Sequence, residues 1–83
     1  MQQNAQALPD SRDVIKAAIR LAGGPEAVAA HFGLGHKAVR AWQDRGTLPA
    51  RYVRQLSEKG GGVISVDALL QAIERTAADK MDA

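Results

Sequence analysis

Glycine and proline cut this chain into short pieces, and no other feature limits its folding as strongly. All eight glycines of the 83 residues lie between positions 23 and 62, as Gly23-Gly24, Gly33-Leu34-Gly35, Gly46 and Gly60-Gly61-Gly62. Two of the three prolines, Pro25 and Pro49, stand just after such breaks. Glycine closes a helix and proline opens one, because the proline nitrogen has no hydrogen to leave unpaired in the first turn. The segments between the breaks carry helical spacing of apolar residues. The first helix starts near Asp10 as N-cap, with Asp13 three residues on, and runs through Val14, Ile15, Ala18, Ile19 and Ala22. A second spans Pro25 to Phe32, with Glu26 suited to its positive end. A third runs from about His36 to Arg45, with Gly46 as its C-terminal cap. Leu48-Pro49 opens a fourth, turns Tyr52, Val53 and Leu56 inward and ends at the triple glycine, a hinge candidate. Val63 and Ile64 read as a short extended piece. Ser65 then caps a fifth helix with the apolar stripe Val66, Leu69, Leu70, Ile73 and Ala77.

Composition agrees with an all-α chain. Apolar residues are 46% of the total and aromatics 4%, so the core must come from Ala, Val, Leu and Ile, which favours helices over a sheet sandwich. This length suits one domain with no large catalytic cleft. Residues 1–9 are expected to be a frayed N-terminal arm, 10–60 a core and 61–83 a C-terminal helix. With no cysteine, there is no disulfide framework, thiolate metal site or thiol nucleophile. The polar start Met1-Gln2-Gln3-Asn4-Ala5-Gln6 is unlike a signal peptide, and no apolar run has the length of a membrane span. The expected location is the cytoplasm.

Catalytic groupings are absent. Gly60-Gly61-Gly62 lacks the downstream Lys and Ser or Thr of a phosphate loop, and no carboxylate pair or Ser-His grouping has a reactive spacing. His31 and His36 are five residues apart across a helix break and have no partners to complete a metal tetrahedron. No enzyme activity, metal or cofactor is expected.

Charge is uneven along the chain. Residues 1–30 balance, residues 31–60 hold six bases against Asp44 and Glu58 for +4, and residues 61–83 sum to −2. A basic middle suits a phosphate backbone, and it also suits a plain solvated face. Charge alone leaves both open.

The interval from Val28 to Trp42 narrows the choice. Val28, Phe32, Leu34, Val39 and Trp42 are spaced to lie between two short helices and the rest of a core. Ala29 is small enough for a close crossing, and Gly33 can take the left-handed conformation of a tight turn. Those are the requirements of a helix-turn-helix. Trp42, three residues from Val39, belongs to the core rather than to a stacking surface.

These residues, Ala29, Gly33, Leu34, Val39 and Trp42, continue into Gly46-Thr47-Leu48-Pro49. The pattern resembles the Cro- and CI-type, lambda-repressor-like helix-turn-helix regulators, most of all the small Cro-like repressors of phages and prophages, over roughly residues 12–58. Glu26 stands where that family often has a phosphate-touching Gln, and the last 20 residues are not diagnostic. The resemblance implies a five-helix DNA-binding domain whose third helix enters the major groove of double-stranded DNA. Base reading would then fall to His36, Lys37, Arg40, Ala41 and Asp44, with Arg40 foremost because it can take guanine O6 and N7. Gln43, Arg45, Arg51 and Arg54 would reach flanking phosphates, helped by main-chain N–H groups at the start of the fourth helix. Asp44 would pair with Arg40 or Arg45, or repel wrong sequences. Val66, Leu69, Leu70 and Ile73 either pack on their own domain or form a dimer seam, and both remain open.

The expected function is sequence-specific transcriptional regulation: a repressor that binds an inverted repeat as a homodimer, with no small-molecule effector and no membrane partner. The rival is an antitoxin or protein-interaction adaptor that keeps the fold. A nonspecific architectural DNA binder is a third, which the +2 net charge disfavours.

Overall fold

The computed structural model describes residues 10–82, with side chains through residue 78, and the arm expected over residues 1–9 lies outside that range. Five α-helices follow one another: α1 (Ser11–Leu21), α2 (Pro25–Phe32), α3 (His36–Arg45), α4 (Val53–Lys59) and α5 (Val66–Asp82). A 3-10 turn, Ala50–Tyr52, precedes α4. The described residues include no strand, and no helix among them is long and apolar enough to cross a membrane.

Local chemistry explains the helix ends. The Asp10 carboxylate accepts from the Arg12 backbone N–H at 2.8 Å, and the Ser65 hydroxyl accepts from the Ala68 N–H at 3.1 Å. Both are side-chain caps of otherwise unpaired donors in a first helical turn. At the other ends of α2 and α3, Gly33 and Gly46 take φ values of 70° and 72°, which a side chain would penalise. The Leu34 N–H then reaches back to the Ala29 carbonyl at 2.8 Å, and the Gly46 N–H to that of Trp42 at 2.8 Å.

Two connections differ from the sequence reading. Pro49 does not enter the first turn of α4. Its ψ of 134° is extended, so it leads into the 3-10 turn, where the Tyr52 N–H bonds the Pro49 carbonyl at 3.0 Å. Leu48, 3% exposed, draws that connection into the core. The triple glycine is a hydrogen-bonded turn rather than an open hinge. The Gly62 N–H bonds the Ser57 carbonyl at 2.8 Å, and the buried Ser57 hydroxyl donates to the Ile64 carbonyl at 2.8 Å. Val63 and Ile64 form bends with no ladder partner; Ile64 is half-buried on the core and Val63 is 72% exposed.

Every helix contributes to one core. Ile15 and Ile19 of α1, Val28 of α2, Val39 of α3, Leu56 of α4, and Leu69 and Ala72 of α5 are all 0% exposed. α1 packs most extensively on α5, then on α3, which also carries α2. α5 therefore packs on the helices that precede it rather than apart from them. Of the four residues left open between packing on their own domain and a dimer seam, Leu69 is enclosed by its own chain and unavailable to a partner. Burying such a leucine stabilises by about 1.5–3 kcal/mol relative to leaving it exposed, so α5 is part of what folds the domain. Val66, Leu70 and Ile73 are half-buried on the flank of the core. Ala77, placed on the stripe by its spacing, is exposed.

Candidate nucleic-acid interface

α3 divides cleanly by face. Val39 and Trp42 point into the core, at 0% and 9% exposed. His36, Lys37, Arg40, Asp44 and Arg45 are exposed, while Ala41 and Gln43 are half-buried. A helix turns 100° per residue, so positions 36, 37, 40, 41 and 44 share the side opposite that buried seam. The structure thus brings the five expected base-reading residues together. Arg51 and Arg54, the expected phosphate contacts beyond α3, are exposed on the 3-10 turn and on α4.

Between α3 and the start of α2 lies a shallow depression lined by Gly23, Gly24, Pro25 and Glu26 on one side and His36 and Arg40 on the other. A second, more apolar depression runs between Ala29, Ala30 and Leu34 and the first residues of α3, His36 and Lys37; Glu26 lines it too. The α2 N-terminus has no side-chain cap, and its first backbone bond to a preceding carbonyl is from the Val28 N–H to Gly24, at 3.0 Å. The Glu26 and Ala27 N–H groups therefore keep the partial positive charge of a helix start, facing the same side as Arg40.

An aromatic cluster fixes the other end of α2 to α3. Phe32, Trp42 and Tyr52, the chain's only three aromatic residues of the Phe, Trp and Tyr types, have ring centroids 4.6, 5.4 and 6.2 Å apart. His31 packs edge-on against Phe32 at 5.1 Å. The Arg51 guanidinium lies over the Tyr52 ring at 5.1 Å, which holds its charge near the end of α3. Helical spacing could not reveal this cluster, because residues ten apart on three different elements share no periodic face. The exposed His31 is part of this packing, while His36 lines the depression at the α2 start.

The C-terminus of α3 is anchored twice, and sequence reasoning missed both anchors. The Thr76 hydroxyl of α5 donates to the Gly46 carbonyl at 2.8 Å, across thirty positions of sequence. The start of α1 covers the same glycine: a Cβ there would lie 2.9 Å from both the backbone nitrogen and the Cγ of Arg12. The one ion pair among the described residues is Arg12–Asp10, at 3.5 Å. Asp44 forms none with Arg40 or Arg45, the first of the two roles open to it, and its carboxylate stays in solvent. The bonds from the Arg12 backbone and side chain, with the Arg12 and Arg75 charges, lower the Asp10 pKa below its ordinary value. Arg75 itself is half-buried with its Nε enclosed and unpartnered.

Chemically, these elements can offer hydrogen-bond donors and positive charge to an anionic surface: two long cationic side chains and an imidazole on one rigid helix, a helix N-terminus beside them, and further arginines on the 3-10 turn and α4. Among the described residues, no three His, Cys, Asp or Glu side chains gather into a metal-sized group. Comparison with models of known protein families, with curated proteins and with solved structures finds no match to this chain.

Proposed function

We propose that the protein is a sequence-specific double-stranded DNA-binding regulator of transcription, built as a lambda-repressor-like helix-turn-helix domain with α2 and α3 as the motif. It acts as a repressor by occupying an inverted-repeat operator as a homodimer. The observation that carries the reading is the division of α3: apolar residues inside, and His36, Lys37 and Arg40 together on the outside beside the open α2 N-terminus. α3 is the element that enters the major groove, where Arg40 takes a guanine edge and Lys37 and His36 reach neighbouring bases. Gln43 and Arg45, with Arg51 and Arg54 beyond them, reach phosphates flanking the site. The Gly33 turn and the aromatic cluster support this use, since base reading needs a helix held at a fixed angle to its neighbour.

Selection of bound duplexes from a random library, followed by gel-shift titration at two salt concentrations, tests the proposal. The expected result is an enriched inverted repeat whose half-sites lie about 34 Å apart, with affinity falling linearly in log–log form as salt rises. Duplex binding without sequence preference would indicate an architectural protein. Absence of duplex binding at low salt would sink the DNA reading and leave the antitoxin or adaptor reading.

A further inference from the structure

We infer that Glu26 limits the affinity of this face for DNA, its exposed carboxylate standing beside His36, Lys37 and Arg40. The inference rests on the DNA-binding reading of the same face. Among the described residues, Glu26 is the only acid lining either depression beside α3, and it lines both, with His36 and Arg40 in one and with His36 and Lys37 in the other. It is exposed and makes no ion pair among the described residues, so its charge faces whatever approaches. It also sits in the first turn of α2, where no side chain caps the helix. A helix start of this kind attracts anions, and here the chain places a fixed negative charge on it. A phosphate approaching the α2 N-terminus meets the carboxylate together with the helix dipole, while the surrounding bases pull it in. The repulsion acts on phosphate, which every duplex carries, so it lowers affinity for operator and unrelated DNA by the same factor.

Glu26→Gln keeps the shape and removes the charge. Two unit charges about 6 Å apart at the edge of a protein interact by an amount that corresponds to about a three- to tenfold change in affinity at low salt. Gel-shift titrations with the intact protein should therefore show Glu26→Gln binding both a selected operator duplex and a scrambled duplex about three- to tenfold more tightly than the parent, with a smaller gain at high salt. Asp67→Asn is the control: it changes net charge equally in the first turn of α5, among residues that line neither depression. It should leave both affinities nearly unchanged. An equal gain in the two variants would trace the effect to net charge and overturn the inference, as would unchanged or weaker binding by Glu26→Gln. An altered ranking of operator variants would overturn it differently, by making Glu26 a base reader. If the parent binds duplex and Glu26→Gln binds no better, this inference fails while the DNA reading stands; if neither binds any duplex at low salt, both fail.

Discussion

At the scale of single residues, the exposed and enclosed positions of α3 set opposite expectations. Arg40 is exposed beside the α2 start, so its truncation leaves the fold intact and acts only on binding. Arg40→Ala is expected to cost about 1–3 kcal/mol on the preferred site and to relax one base position, whereas Arg54→Ala weakens all sequences alike. Titration against a panel of single-base operator variants separates the two, and an unchanged ranking for Arg40→Ala would remove it from the base-reading set. Gly46 behaves in the opposite way. Its φ of 72° and the Arg12 atoms 2.9 Å from a would-be Cβ leave alanine strained and crowded at once. Gly46→Ala is therefore expected to destabilise by at least about 1–2 kcal/mol from backbone strain alone, seen as a lower denaturation midpoint with an unchanged slope. Asp10 sets an acid limit. Its pKa is lowered in the folded state, first by the Arg12 backbone N–H bond, so the stabilisation is complete above the unfolded carboxylate range and fades as pH falls through the folded value. Asp10→Ala should flatten the acid side of a stability-against-pH curve and lower the neutral plateau; an unaltered acid limb would mean that another carboxylate governs it.

At the scale of elements, what could be read in the sequence is what neighbours in the chain decide. Gly33 and Gly46 end helices through their own backbone freedom, and Asp10 and Ser65 cap through donors two or three residues away. All four were legible for that reason, as was Trp42 as a core residue from its spacing to Val39. The face of α3 followed once the buried seam was placed. The remaining features depend on groups far apart in sequence. Pro49 stops short of α4 because Leu48 is drawn into the core, and the triple glycine is closed by a hydroxyl on the preceding helix. The Thr76 bond to Gly46 spans 30 positions, and no local pattern marks a threonine on α5 as the partner of a carbonyl ending α3. That bond gives α5 a hold on the angle of α3. Thr76→Val keeps the shape and removes the donor, and for this partly buried bond the loss should be about 0.5–1.5 kcal/mol. Chemical denaturation reads that loss; stability equal to the parent would show that water replaces the threonine at no cost.

At the scale of the whole molecule, α5 has two sides with different duties, and one pair of neighbouring leucines tells them apart. Leu69 is 0% exposed against α1 and α4, so Leu69→Ala leaves a cavity and should cost about 2–5 kcal/mol. For a domain this small that is a large share of a stability that seldom exceeds about 15 kcal/mol. Leu70, one position on, is half-buried with Val66 and Ile73 along the flank. That flank is the apolar surface α5 has left to offer a second copy, since Leu69 is taken by the core. A lysine at position 70 can lay its methylenes on the same surface and keep its ammonium in water, so Leu70→Lys should fold like the parent. Two facing copies, however, would bring two such charges together across an apolar seam, where like charges are costly. If this flank is the two-fold contact, sedimentation equilibrium at micromolar concentration should show the parent as a dimer and Leu70→Lys as a monomer. Its affinity for a single half-site should match the parent's, and its affinity for the full inverted repeat should be reduced, because only the coupling between half-sites is lost. A Leu70→Lys protein that sediments with the parent and binds the full repeat equally well would place the two-fold contact on some other surface and leave α5 with its core duty alone.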